Sequence, residues 1–387
     1  MNFDEPEYIG LIRDSVRAFV EKEMPREKAR EWDKHNIFPR DVFDKLAEMG
    51  LMGLTVPEEY GGQGPDIYAA MAVIEELAKR SVAVACPYIQ AVCYAGMNLL
   101  ENGNDAQKAA LLPRVAAGDL IFAYGLSEPN VGGDLAMVET HGVIEGDEIV
   151  LNGTKRWCTG AHIADYIFCL TRTGPKDEKY KNLSIILVPA KSAGISFTDL
   201  GHLGIRGVQT LDAALQDVRV PLENILGGPD MLNKGWSQLA GRALEVEKLE
   251  LSACALGLSE AAIADAWEYA EEREQFGKPI SAHQAIRHTL AECKTQVKAM
   301  RHMLYHAAWL ADQNRPCTVE SSMSKLFCCE SAAEITQKCQ RVVGAYGLSD
   351  MMDMERYMRD AVSLPIVGGS SNMQKNNISN RLGLRAK

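Results

Sequence analysis

Glu145-Gly-Asp-Glu-Ile-Val-Leu-Asn-Gly153 carries two turn signals around a short apolar run. It marks where the chain changes texture. Gly-Asp in the first signal suits a hairpin, and Asn-Gly in the second is a favoured pair for tight turns. Downstream, Tyr166-Ile-Phe-Cys-Leu-Thr171 and Leu183-Ser-Ile-Ile-Leu-Val188 are β-rich runs separated by Gly, Asp, Asn and Pro. The reading is a small antiparallel β domain over residues 120–228.

Helical spacing rules on both sides of it. Ile9, Ile12, Val16, Phe19 and Val20 form one apolar face, and Val42, Leu46, Met49 and Leu51 another. Pro57 and Tyr60-Gly-Gly-Gln-Gly-Pro65 interrupt the pattern, which resumes near Ile67. After Gly235, helices are predicted over about 236–274, 284–312 and 318–345, with Gly277, Pro279 and Pro316 in the joints. Such lengths suggest a four-helix bundle. The expected fold is therefore α+β: an N-terminal α-helical domain (1–119), a middle antiparallel β domain (120–228) and a C-terminal four-helix bundle (229–387). No repeat of 20–50 residues is visible.

Composition narrows the function. Of 387 residues, 47% are hydrophobic and 24% charged, which excludes a disordered chain. Acidic residues outnumber basic ones 52 to 41 and no basic run stands out, so nucleic acid is not an expected partner. Ser81 to Leu100 contains no charge and is long enough to span a bilayer. Pro87, Gln90, Gly96 and Asn98 suit lipid poorly, so the expectation is a buried helix or helix pair and no membrane. The opening Met1-Asn-Phe-Asp-Glu-Pro-Glu7 is acidic and lacks the order of a secretion signal. Ten cysteines without a CxxC pair read as reduced, mostly buried thiols, and place the protein in the cytoplasm. Cys328-Cys329, within a helical pattern, reads as packing.

Several chemistries lack their motif. There is no GxxxxGK[ST], no early strand leading into GxGxxG, and no HExxH. His302 and His306 are four apart but have no third ligand, so no metal is expected. Three other segments are ambiguous singly. Ser127-Glu-Pro-Asn-Val-Gly-Gly-Asp134 reads equally as a turn, and the Trp of Lys155-Arg-Trp-Cys-Thr-Gly160 reads equally as core. Arg273-Glu-Gln-Phe-Gly277 has the form of a helix end with a cation and a Gly cap.

In order and spacing, these segments resemble the flavin-dependent acyl-CoA dehydrogenase family from about residue 5 to residue 382. The matching residues are Leu126-Ser-Glu-Pro129 with Gly132 and Asp134, Trp157-Cys-Thr159, and Leu203-Gly-Ile-Arg206 with Thr210. They continue with Asp217-Val-Arg-Val-Pro221, Arg273-Glu-Gln-Phe-Gly277 and His283-Gln284. Gln340 with Gly344, Arg356-Tyr-Met-Arg-Asp360 and Gly369-Ser370 complete the series.

The resemblance implies FAD as cofactor. It places the 124–133 backbone along the flavin ring (Tyr124, Leu126, Ser127, Gly132 and Gly133), with Trp157 on one face and hydroxyls from Ser127 and Thr159. Arg273 then meets the pyrophosphate from a neighbouring subunit with its forked guanidinium. Gln275, Phe276, Gln284, Gln340, Gly344, Ser370 and Asn372 complete the cofactor set. At least a dimer, and by family habit a homotetramer, follows.

The implied reaction is α,β-dehydrogenation of an acyl-CoA thioester. A carboxylate takes the α-proton, the β-hydrogen leaves as hydride to flavin N5, and electrons pass to an electron-transfer flavoprotein. Here the chain departs from the commonest pattern. Ile366-Val-Gly-Gly-Ser370 has Gly368 where many members carry the base. The family's second solution, as in isovaleryl-CoA dehydrogenase-like enzymes, puts the base on a bundle helix. Glu245-Val-Glu-Lys248 stands there, making Glu247 the candidate base, although the same run also reads as a solvated charged face. Gly368 leaves room for that side chain and keeps an N–H for the thioester oxygen.

Gly133, Glu245, Lys248 and Gly369 are the implied acyl-CoA contacts. Glu245 and Lys248 replace the usual Asp and Arg, and Gly133 replaces a Ser. Two alternatives accompany this reading. One is an enoyl-CoA reductase working in reverse, and the other a non-catalytic FAD- or CoA-binding subunit of a heteromeric complex.

Overall fold

The computed structural model describes residues 4–384; the first three residues of the acidic opening segment lie outside it. The helical spacing of the first third produces α1 (Glu7–Glu23), α2 (Arg26–His35) and α3 (Arg40–Glu48). Pro25 and Pro39 sit at the starts of α2 and α3, where a missing N–H leaves no helical bond unmade. Helix α4 (Ile67–Ala78) begins at Asp66, whose carboxylate accepts the Ala69 N–H at 2.8 Å. The uncharged stretch forms α5 (Val82–Ile89), a π-helical segment (Gln90–Met97) and α6 (Asn98–Asn102), followed by α7 (Asp105–Ala116). This segment is long and apolar enough to cross a membrane, but it is buried inside the molecule. The buried-helix expectation holds.

The β domain comprises β1 (Phe122–Gly125), β2 (His141–Glu145), β3 (Glu148–Thr159), β4 (Tyr166–Arg172), β5 (Leu183–Pro189), β6 (Ile195–Asp199) and β7 (Thr210–Pro221). Its order is β1-β4-β2-β3-β7-β6, with β5 also paired to β4. The sheet is mixed, which corrects the purely antiparallel expectation. β1 runs parallel to β4, and β2 meets β4 in parallel through His141 and Arg172. The long connection from β1 to β4 permits this pairing, since parallel strands need a crossover and not a hairpin.

The two turn signals part ways. Gly146-Asp147 does turn β2 into β3. Asn152-Gly153 does not, because β3 continues through it to Thr159 with a register shift between Leu151 and Gly153. Asn152 is bound sideways to Asp217, accepting its N–H at 2.9 Å and donating to its carboxylate at 3.0 Å. A Cβ on Gly153 would lie 2.6 Å from Thr140 Cα, so the glycine serves a close approach in a β-bulge.

The C-terminal domain starts with α8 (Gly235–Leu239) and the long α9 (Arg242–Glu272). A small hairpin, β8 (Glu274–Gln275) and β9 (Lys278–Pro279), leads to α10 (Gln284–Asp312) and α11 (Thr318–Val343). These three long helices pack on one another, and the shorter α12 (Met354–Ala361) and α13 (Ser371–Arg381) close the bundle against α11. Helix α4 packs on α9, fusing the first and last domains. That seam carries buried charge: Arg13 pairs with Glu75 and Glu76 at 2.9 Å each, and Arg301 reaches Glu75 from α10. All ten cysteines are free thiols.

Candidate active site

One wall of the site is the loop after β1. Lys155, fully buried on β3, donates to the Leu126 carbonyl at 3.3 Å and to the Glu128 carboxylate at 2.8 Å. Glu128 also accepts the N–H groups of Glu139 at 2.6 Å and Thr140 at 2.8 Å. Burial alone would raise this carboxyl, but the Lys155 charge and these bonds hold it below its ordinary value. The Ser127 carbonyl accepts the Arg156 N–H at 2.9 Å.

A second register shift in β3, between Lys155 and Cys158, throws Trp157 outward with φ 65° and a 58% exposed ring. The alternative of a core tryptophan is thereby excluded. Thr159 follows, its hydroxyl 3.1 Å from that of Thr210 and its carbonyl accepting from Gln90 at 2.7 Å. Tyr124 stacks on Tyr94 with ring centroids 3.8 Å apart, and its hydroxyl accepts from Asn98 at 2.8 Å.

The facing wall is the turn into α13. Gly369 accepts the Gln374 side-chain N–H at 2.8 Å, Ser370 caps the helix, and Asn372 is exposed on its first turn. A Cβ on Gly133 would lie 3.4 Å from Met373 Sδ, so the β1 loop and the start of α13 meet across the cleft. Gly368 has φ 58°, and a Cβ there would stand 3.7 Å from Glu247 Oε1. The sequence-named base and Gly368 therefore lie side by side, but the space left by the missing side chain is taken by Leu251, whose Cδ1 would be 2.2 Å from that Cβ.

Glu247 is 6% exposed, which corrects the solvated reading of its charged run, since Lys248 and Glu250 are buried too. Burial pushes the Glu247 carboxyl up to about 7, with Lys248 and Lys325 pulling it back. Lys325 lies on α11 and donates to the Leu364 carbonyl at 3.0 Å. Glu245 is engaged within the chain, accepting from the Thr318 hydroxyl and from the Cys317 thiol at 3.4 Å. It thus fastens α9 to the start of α11, and Lys248 is buried beside it.

The remaining sequence-named residues gather elsewhere. Arg273, Gln275 and Phe276 lie in the hairpin after α9, with Phe276 and Gly277 both at positive φ in its turn. Gln284 opens α10 beside them, and Gln340 and Gly344 end α11 at the same end of the bundle. Gln340 donates to the Gly347 carbonyl at 3.1 Å. Glu247 and Glu272 are 25 residues apart on one helix, or about 38 Å. Arg273 and its neighbours therefore stand at the opposite end of α9 from Glu247.

Tyr94, Lys325 and Glu250, the last one turn beyond Glu247, lie outside the sequence reading of this site. A signal existed for Glu250, since Val246, Leu249 and Ala253 around it are apolar and an i, i+3 carboxylate pair in such a face is unusual.

Comparison with known proteins settles the class. The acyl-CoA dehydrogenase N-terminal, middle and C-terminal domains match residues 7–119, 123–218 and 233–383. This chain belongs to the acyl-CoA dehydrogenase family. It is 35% identical over 99% of its length to the whole of the probable acyl-CoA dehydrogenase YngJ of Bacillus subtilis. It is 34% identical to the caffeyl-CoA reductase-Etf complex subunit CarC of Acetobacterium woodii, over 96% of this chain and 97% of that one. Its fold superposes on butyryl-CoA dehydrogenase from Megasphaera elsdenii with a TM-score of 0.94 and 30% identity, covering both chains fully.

FAD is the cofactor of this family. The residues here fit it: a strained strand bulge presents an exposed indole beside a threonine hydroxyl and a backbone loop pinned by a buried ion pair. Trp157, Thr159 and the 124–133 loop would hold the ring end, with Ser370 and Asn372 opposite.

Proposed function

We propose that this protein removes the α and β hydrogens of an acyl-CoA thioester, with Glu247 as the α-proton base. The observation that carries this reading is the Glu247 carboxyl, buried and near neutral, beside a position that lacks a side chain. A thioester α-proton is weakly acidic, so its base must be desolvated and the carbonyl polarised at the same time. Burial supplies the first condition. The Gly368 N–H has no acceptor among the described residues and is available to the developing oxyanion. Bound FAD supplies the acceptor for the β-hydrogen.

The ring and substrate contacts assigned from the resemblance complete the proposal, with Gly133, Lys248 and Gly369 toward acyl-CoA. Electrons pass to an electron-transfer flavoprotein, as the name of the CarC complex suggests for that relative. The same groups serve the reverse reaction, with Glu247 returning the proton, and that relative is by name a reductase. The buried base supports a catalytic reading over a silent subunit. Ten free thiols suit the cytoplasm, and the separation of Arg273 from Glu247 along α9 suits a homodimer or a homotetramer built from two.

Glu247→Gln keeps shape but accepts no proton. Flavin bleaching by a panel of acyl-CoAs should fall by about 10²–10⁴ while FAD and acyl-CoA still bind. Bleaching at the wild-type rate would overturn the assignment.

A further inference from the structure

Glu250 is a second carboxyl that the reaction leaves unused. It is 1% exposed, and neither oxygen has an N–H or O–H donor as partner among the described residues. It shares a face of α9 with Glu247, one turn away. Burial raises it most, the Cys93 thiol pulls it back, and the Glu247 charge raises it again. Among the described residues, no lysine or arginine relieves it as Lys248 and Lys325 relieve Glu247.

The surroundings point to a ligand. Along the buried segment from Val82 to Leu99, only Cys86 and Tyr94 keep partial exposure, and both feel the Glu250 charge. On α9, Leu251 is likewise partly open between buried neighbours, against the Gly368 position. These partly open side chains lie on the packed helical segments that flank the Glu247–Glu250 face of α9. A wall for a plain hydrocarbon has no use for a buried carboxyl without a charged or N–H partner, because such a group destabilises the fold.

We propose that Glu250 selects the acyl group, and that the substrate is an acyl-CoA bearing a hydrogen-bond donor (a hydroxyl, amide N–H or ammonium) near the end of a short chain. This rests on the acyl-CoA reading of the site. Side chains three residues apart on a helix stand about 5–6 Å from each other, about four bonds of extended chain. The donor therefore lies about four bonds beyond the α-carbon. A terminal carboxylate is disfavoured by the same geometry, having no cation to meet and two carboxyls to face.

Four CoA thioesters of one chain length test this: pentanoyl, ω-hydroxypentanoyl, ω-aminopentanoyl and glutaryl. Binding is measured by calorimetry on FAD-loaded Glu247→Gln enzyme, which holds the ligands without turnover, and kcat/KM on the enzyme with Glu247 intact. The hydroxyl or ammonium ligand should bind about tenfold or more tighter than pentanoyl, with glutaryl weakest. Adding Glu250→Leu should bring these ratios to about one. Glu250→Gln, which keeps the shape should the Leu variant fail to fold, should retain a hydroxyl preference and lose an ammonium one. Pentanoyl bound as tightly as both donor ligands, with ratios indifferent to either substitution, overturns the proposal. Turnover that survives Glu247→Gln sinks the base assignment instead and leaves the binding ratios to be judged separately.

Discussion

Glu247 works against the fold that holds it. Burial raises its carboxyl to about 7, the charges facing it being Lys248, Lys325 and Glu250. Only the ionised form accepts a proton, so kcat/KM for dehydrogenation should climb with pH and level off above about 7. A flat profile between pH 5 and 9 would contradict this. Stability runs the other way. Below about pH 4.5 folded and unfolded chains both carry the proton, and nothing is lost. As pH rises, the unfolded chain releases it first, so stability falls until about pH 7 and then stays lower by about 3 kcal/mol. Glu247→Gln should therefore raise Tm at pH 8 and leave it nearly unchanged at pH 4, as calorimetry can show. The neighbouring glycine sets a second limit. A Cβ on Gly368 would press to 2.2 Å from Leu251 Cδ1, so Gly368→Glu should not restore flavin reduction to Glu247→Gln unless Leu251→Ala clears the space. Rescue without that third change would show a roomier loop than this one. Glu247 was legible only through family resemblance, because Glu245-Val-Glu-Lys-Leu-Glu250 looks solvated by itself. The helix that carries it packs against α4, the π-helical segment and α11, all distant in sequence.

At the level of elements, strand β3 does more than pair. Its two bulges aim residues in turn: the first brings Gly153 against Thr140, and the second frees Trp157. Asn-Gly signals a turn in the sequence, and the structure corrects this to a bulge within a continuous strand. Its outcome depended on Asp217 across the sheet, which no local window contains. Between the bulges, Lys155 supports the loop after β1, the proposed flavin loop, through Leu126 and Glu128. Lys155→Met would leave Glu128 buried without its cation, a change that typically costs about 3–5 kcal/mol. The expected result is a lower Tm together with less flavin absorbance per protein chain. A variant that keeps both at wild-type level would show that the loop holds itself. The long helices, in contrast, were legible within a few residues, since periodicity over 25 or more positions leaves little ambiguity.

Across the whole molecule, the geometry of α9 decides what a single chain can do. Glu247 stands near one end of it, whereas Arg273, Gln275, Phe276, Gln340 and Gly344 gather at the other, about 38 Å away. On the proposed assignments, a pyrophosphate held by Arg273 lies too far from a flavin ring beside Glu247 of the same chain. Arg273 is then proposed to serve the cofactor of a second copy, and Phe276 a surface that copy covers. Phe276 is 94% exposed at the tip of a two-stranded hairpin, where an aromatic ring gains nothing in water. The helical core beneath that hairpin does not depend on it. Arg273→Ala should thus lower FAD content while Tm of the apoprotein moves by less than a few degrees. Phe276→Asp should shift the protein toward monomer in sedimentation and release FAD in parallel, with the two losses tracking each other on dilution. An Arg273→Ala enzyme that keeps a full FAD complement, or a Phe276→Asp monomer that does, would return the cofactor to a single chain and leave the hairpin unexplained.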